Sequence, residues 1–234
     1  MIRLGAGLAL LWAIAATPCA AQEVIQPYVA EYDVLRGGTV EGQATVSLSR
    51  EDDGTWRLEE HTRGTQGLAA LAGLKIDETS RFRRSATGLD CLRHEYRQGG
   101  LRKRERQVDC SAEGIVSRDH HGQYRFPAES GVLDRQSASL ALALDLAAGR
   151  RGELSYRVVD REQLDTQRYR VEGEETVEVP AGRLRALKVR RLRENPKRTT
   201  TTWFGIDQGW VPVRIVQGET DGASFELRLR TLRR

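Results

Sequence analysis

Histidine, serine, cysteine and paired carboxylates are the side chains in this 234-residue sequence with the chemistry to react, and each needs companions at set spacings. The histidines are His61, His94, His120 and His121. A metal ion needs three or more converging ligands, and the one run that offers several in sequence is Asp119-His120-His121. Neighbouring side chains on a strand point to opposite faces, so His120 and His121 share an ion only if the segment before Gly122 is a loop. A serine hydrolase needs an activated hydroxyl, and neither a Gly-x-Ser-x-Gly elbow nor a Ser-x-x-Lys pair occurs in the sequence. Ser137, with Asp134 and Gln136, reads as a polar helix start. Glu59-Glu60 and Glu174-Glu175 are adjacent, face apart on strands, and so cannot act as acid and base across one bond. Glycine loops of the dinucleotide or phosphate type are also missing. These patterns call for no cofactor and no metal site, and they disfavour an enzyme. An unrecognised hydrolase or metal-dependent enzyme working through His120 or His121 stays as an alternative.

The cysteines turn on where the mature chain begins. Arg3, an apolar stretch over 4–16 and Thr17-Pro18-Cys19-Ala20-Ala21 form the charged, apolar and small-residue regions of a secretory signal peptide over 1–21. The apolar run is shorter than the about 20 residues a membrane span requires. A lipoprotein site at Cys19 would want Leu three residues upstream and a small residue directly before it, but Ala16 and Pro18 stand there. Cleavage after Ala21 therefore discards Cys19 and delivers the rest to the periplasm without a lipid anchor. Cys91 and Cys110 are left as a pair in an oxidising compartment. They flank a hairpin pattern, with strands over 89–98 and 101–110 around Gly99-Gly100. A loop over 99–102 sets the two cysteines directly opposite each other, close enough for a disulfide. Two free thiols are the alternative; a redox-active pair would want the Cys-x-x-Cys spacing that is missing.

The elements that must position these residues are mostly strands. Tyr28, Ala30, Tyr32 and Val34 alternate with polar neighbours, as do Ala44, Val46 and Leu48, then Leu154, Tyr156 and Val158, then Phe225, Leu227 and Leu229. That period marks antiparallel sheet with one wet face. Turn signals such as Gly37-Gly38, Asp52-Asp53-Gly54 and Pro180-Ala181-Gly182 separate the runs. The expected fold is all-β and mostly antiparallel, a single domain over 22–234 whose meander curls into a half-barrel, barrel or β-roll with one or two short helices. Residues 132–146 carry the better helical spacing, set to pack in or across the sheet's mouth; 66–74, rich in Leu and Ala, read as a short helix or an apolar flap over an opening. Charged residues make up 30 % of the chain with both signs mixed and a net charge of +4, a solvated surface rather than a nucleic-acid face. Arg102-Lys103-Arg104 and 183–193 are basic clusters that read as polar strand faces, with anionic lipid headgroups as the alternative partner.

The second half also carries a recognisable series of motifs: Val171-x-Gly173-x-Glu175, Val179-Pro180-Ala181-Gly182, Ala186-Leu187-Lys188-Val189, Trp203-Phe204-x-x-Asp207 and Gly209-Trp210-Val211-Pro212-Val213-Arg214-Ile215. Tyr28-x-Ala30-x-Tyr32, Gly42 and Leu133-Asp134-x-Gln136-Ser137 precede them. In these residues the chain resembles the bacterial DUF3108 family. The resemblance implies export in Gram-negative bacteria and brings no established activity or catalytic residue. The strand-rich pattern is similar to that of envelope proteins with curled sheets, a likeness of fold that does not transmit function. Each motif also has a plain structural reading. Pro180 and Gly182 build a turn, Trp203 and Trp210 wedge the core, and Pro212 suits an edge or bulge. The leading expectation is thus a non-catalytic binding or scaffold protein of the cell envelope, holding an apolar or lipid-like ligand in a β groove. A structural module that binds another envelope protein is its rival.

Overall fold

A computed structural model describes residues 26–86, 88–194, 197–220, 222 and 224–234. The expected signal peptide, 1–21, lies outside them. The alternating runs become β1 (Tyr28–Arg36), β2 (Thr39–Arg50), β3 (Trp56–Gly64), β4 (Lys75–Ser85), β5 (Gly88–Gly99), β6 (Arg104–Ser111), β7 (Gly114–Asp119) and β8 (Gly122–Phe126). A helix, α2 (Arg135–Ala147), separates these from β9 (Glu153–Asp160), β10 (Gln163–Val179), β11 (Gly182–Leu192), β12 (Arg198–Gly205), β13 (Pro212–Glu219) and β14 (Ser224–Arg233). A five-residue helix, α1 (Gly67–Leu71), lies between β3 and β4. The strands form one antiparallel sheet in the order β8-β7-β6-β5-β4-β3-β2-β1-β14-β13-β12-β11-β10-β9. The chain starts in mid-sheet, meanders out to β8, crosses on α2 to the far edge at β9, and meanders back until β14 pairs with β1.

Residues 132–133, which the periodicity places in the helix, are extended and curl the sheet. Cys91 N–H donates to the Val132 carbonyl at 3.1 Å, Leu133 N–H to the Arg157 carbonyl at 2.9 Å, and Val159 N–H to the Leu133 carbonyl at 2.9 Å. This short piece lies between β5 and β9, with a parallel bridge from Leu133 to Val158, and draws the two arms of the meander together. The helix begins after it because Asp134 is a strong N-cap. The Asp134 carboxylate accepts from Gln136 N–H at 2.9 Å and Ser137 N–H at 3.1 Å, while the Ser137 hydroxyl accepts from Asp134 N–H at 3.0 Å, a reciprocal capping box.

The face of α2 that carries Ala138, Leu142 and Leu146 is buried inside the curl. Ala138 packs in a cluster with Leu48, Leu58, Phe82 and Val158, and Leu142 and Leu146 in another with Leu187, Val189 and Phe204. Each buried leucine contributes about 1.5–3 kcal/mol relative to exposure. The segment over 66–74 is the short helix rather than a flap over an opening. It sits in the β3–β4 connection, with Thr65 and Gln66 N–H bonded to the Glu41 carbonyl and Leu101 N–H to the Ala72 carbonyl.

Cys91 and Cys110 are joined by a disulfide with Cα atoms 5.8 Å apart, reached by a different register from the expected one. Gln98 pairs with Arg104 and Arg93 with Asp109, so the loop is 99–103, one residue longer. Gly100 is seated there against α1; a Cβ on it would lie 2.4 Å from the Ala72 carbonyl oxygen. That register alone would set Cys91 opposite Ser111. A bulge at Leu92, where β4 pairing skips from Arg81↔Arg93 to Phe82↔Cys91, absorbs the residue and turns Cys91 toward Cys110.

Candidate functional site: an apolar cleft with a polar floor

Between α2 and the concave face of the sheet lies a cleft of about 340 Å³. Period two places Val46 and Leu48 of β2 on the same wall as Leu58 and Glu60 of β3, and helical spacing turns Gln136, Leu140, Ala143 and Leu144 of α2 toward them. Ile215 of β13 and Leu227 of β14 continue the apolar wall. Trp210, Val211 and Pro212, from the connection into β13, line one end with Arg234. None of 66–74 lines the cleft. Its expected role as a cover is corrected by its position beyond the opposite ends of the strands, where β3 turns into β4.

The floor is polar. Across the sheet Glu60 of β3 stands opposite Glu78 of β4, which stands opposite Tyr96 of β5; in the next register Leu58, Ser80 and His94 follow the same line. Glu78 is 3 % exposed and accepts from Arg135 at 3.2 and 2.5 Å, with His94 Nε2 at 3.4 Å. The Glu78 charge pushes the pKa of the Arg135 guanidinium above its ordinary range. Arg135 also lies over the Tyr96 ring, 5.6 Å from its centroid. Ser80, fully buried, donates to the Asp134 carboxylate at 2.6 Å, with His94 Nδ1 at 3.1 Å and the Gln136 side chain at 2.9 Å. One hydroxyl holds one proton, so Ser80 donates to one of these partners at a time and accepts through its lone pairs. Ser80, His94 and Glu78 have the composition of a hydrolytic triad. Here they tie two strands, β4 and β5, to the cap and first turn of α2.

Glu60 is the carboxylate of this floor that lines the cleft, part-buried and accepting from the Thr62 hydroxyl at 3.0 Å. Its pKa is raised, first by burial and then by the negative charge of Glu78 across the strand pair. The raised pKa shifts this carboxyl toward its neutral form among the leucines of the wall. Tyr32, also in the cleft wall, spends its hydroxyl on the Pro212 carbonyl at 2.9 Å, which ties β1 to the start of β13.

His120 and His121 sit apart from all of this, in the β7–β8 turn, both exposed, with ring centroids 3.8 Å apart. The Asp119 carboxylate turns back to accept from His121 N–H at 2.8 Å and Gly122 N–H at 3.2 Å. Among the described residues no group of three or more His, Cys, Asp or Glu side chains is placed to share a metal ion. Nor is any described helix long and apolar enough to cross a membrane.

The sequence profile of DUF3108, described as a protein of unknown function, matches residues 28–230. The chain belongs to the DUF3108 family. No curated protein matches it. Among solved structures it is similar to a β-barrel-like protein of the domain of unknown function DUF1849 from Brucella abortus, at 10 % identity and a TM-score of 0.55, covering 88 % of this chain and 96 % of that one. A protein described as a candidate lipoprotein from Parabacteroides distasonis aligns at 12 % identity and a TM-score of 0.37, over 89 % of this chain and 95 % of that one. At these identities the likeness to the Brucella protein concerns fold alone.

The DUF3108 motif residues gather around the β10–β13 quarter of the sheet. At Gly173 the β10–β11 register skips Glu172, a bulge with Gly173 at φ +142°. Glu175 accepts from Trp203 Nε1 at 2.5 Å, and the indole lies between Lys188 and Arg214, 5.5 and 4.9 Å from its centroid. Pro180 and Gly182 bound the β10–β11 turn, where Ala181 N–H donates to the Leu229 carbonyl. Pro212 opens β13 at a bulge, and Trp210, at φ +63°, lines the cleft. Trp210 and Pro212 line the cleft together with Val211 and Ile215 of the same motif and Tyr28 and Tyr32 of β1; from α2, Gln136 joins them, while Asp134 and Ser137 cap the helix. Glu78, Ser80 and Arg135 were not signalled by sequence, and Glu60 and His94 were named there without this grouping. On β4 the buried positions Glu78 and Ser80 are polar, and on β5 the Leu92 bulge shifts the period, so the alternation that marks a buried face is interrupted there.

Proposed function

We propose that this DUF3108 protein is a non-catalytic binding protein of the periplasm that holds an apolar, lipid-like molecule in the cleft between α2 and the curled sheet. The observation that carries the reading is the cleft itself. A volume of about 340 Å³ falls within the range of small-molecule sites, and its walls are leucine, valine, isoleucine and tryptophan with few polar groups. Glu60, kept toward its neutral form, and Gln136 give the ligand's polar end hydrogen-bond partners at the floor. Ser80, the one serine beside a histidine in the floor, is sealed from solvent and hydrogen-bonded to the helix cap, which supports a structural role for the Ser80–His94–Glu78 group. Export is supported by the 1–21 pattern, and by a disulfide of the kind that persists in oxidising compartments.

Native mass spectrometry of protein purified from the periplasm tests the reading. A lipid-sized adduct is expected on the parent and absent from Ser139→Trp, whose indole occupies the cleft. A parent free of adduct even after incubation with envelope lipid extract would sink the proposal, as would an adduct equally present on the variant.

A further inference from the structure

At the end of the strands opposite Trp210 and Arg234, the β3–β4 and β5–β6 connections come together as one tip. Leu68 and Leu71 of α1 are 64 % and 84 % exposed, and Leu101 of the neighbouring loop is 86 % exposed. The apolar side chains are not loose core residues. The backbone that presents them is braced by Gly64 N–H to the Leu74 carbonyl at 2.8 Å and Leu101 N–H to the Ala72 carbonyl at 3.0 Å. Ala69 is packed so closely on Gly64 that a Cβ there would lie 2.5 Å from the Ala69 carbonyl. The leucines are thereby held outward, one turn apart on α1 and beside it on the loop.

The collar behind them is cationic. Arg102, Lys103 and Arg104 follow Leu101 directly, are exposed, and form no ion pair among the described residues. The exposed Lys75 after α1 and the exposed Arg97 before the loop are matched by Asp77 at 3.6 Å and Glu95 at 3.7 Å, and Glu41 and Glu105 are nearby acids without an ion pair, so the collar's unmatched charge is that of residues 102–104. Apolar side chains ahead of a basic collar match the layers of an anionic bilayer, acyl chains beneath phosphates. A second copy of the chain fits less well, because a symmetric contact would set collar against collar.

We infer that the α1–Leu101 tip seats on anionic lipid bilayers, with Leu68, Leu71 and Leu101 entering the headgroup boundary and Arg102, Lys103 and Arg104 meeting phosphates. Neither element alone suffices for stable attachment; the two together act as a paired signal. The cleft, with its Trp210 end at the other pole, then faces away from the membrane.

Co-sedimentation with vesicles tests this, using protein purified after export and shown by intact mass to lack the 1–21 segment, which would itself bind lipid. Binding is expected to phosphatidylglycerol-containing vesicles but not to pure phosphatidylcholine, and to weaken with added salt. Arg102→Gln/Lys103→Gln should weaken it by about fivefold per charge removed, and Leu71→Ser/Leu101→Ser should abolish it. All four positions are exposed, and unchanged thermal midpoints would show that the variants fold. Equal binding to both vesicle types, absence of binding to either, or variants that bind like the parent would overturn the inference. So would a dimer, seen by analytical ultracentrifugation, that the leucine variant dissolves.

Discussion

Glu60 is the residue on which the chemistry of the cleft turns. Burial and the Glu78 charge raise its folded pKa above the unfolded value of about 4.3. Below that value both states are protonated and the site carries no penalty. As pH rises the unfolded chain ionises first, so stability is lost until the folded pKa is passed. Glu60→Gln removes that loss. Thermal midpoints measured as a pH series should show the variant gaining on the parent as pH rises out of the carboxylate range, and matching it below. The Asp134 carboxylate works differently, because it caps α2 and accepts the Ser80 proton. Asp134→Ala should cost about 2–4 kcal/mol in denaturant unfolding, a lost cap plus buried partners left unpaired. A cost of under about 0.5 kcal/mol would show that the floor is not a connected network. Ser137 and Gln136 were legible as a polar helix start; that Asp134 also ties down Ser80 was not, because 54 residues separate them and Ser80 is a polar residue at an inward position of β4.

At the scale of elements, the sequence's period-two runs marked the strands well wherever one face is apolar, as in β1 and β14. They failed at 132–133, where apolar residues at helical spacing form an extended seam instead. Hydrogen bonds to β5 and β9 decide that segment, and both partners are distant in sequence. The Cys91–Cys110 hairpin was likewise half legible. Its pairing was visible in the spacing, but the Leu92 bulge that makes it work depends on β4 and on the seating of Gly100 against α1. The bridge closes a span of 19 residues and holds the β5–β6 hairpin near Val132 and Val159 of the seam. Cys91→Ser/Cys110→Ser should lose about 3 kcal/mol by the chain-entropy account. Hydrogen exchange should show the loss of protection greatest over β5–β6 and 132–133. Uniform loss across the sheet would mean that the hairpin and seam do not behave as a local unit.

For the molecule as a whole, a meander could be read from strand and turn order, since nearly every strand pairs with its neighbour in sequence. The one long-range strand pairing among the described residues, β1 with β14, could not, because it follows from which apolar faces meet, but a curl with a helix in its mouth could. That curl makes the cleft, and the cleft is the central claim. Its most direct test is displacement of a fluorescent long-chain acyl probe from the parent, Ser139→Trp and Glu60→Gln proteins. The account predicts saturable binding to the parent, loss of binding in Ser139→Trp, and retained binding in Glu60→Gln, whose neutral amide still offers a hydrogen bond to a polar head. Probe binding that is non-saturable, or unchanged by a tryptophan placed in the cleft, would contradict it.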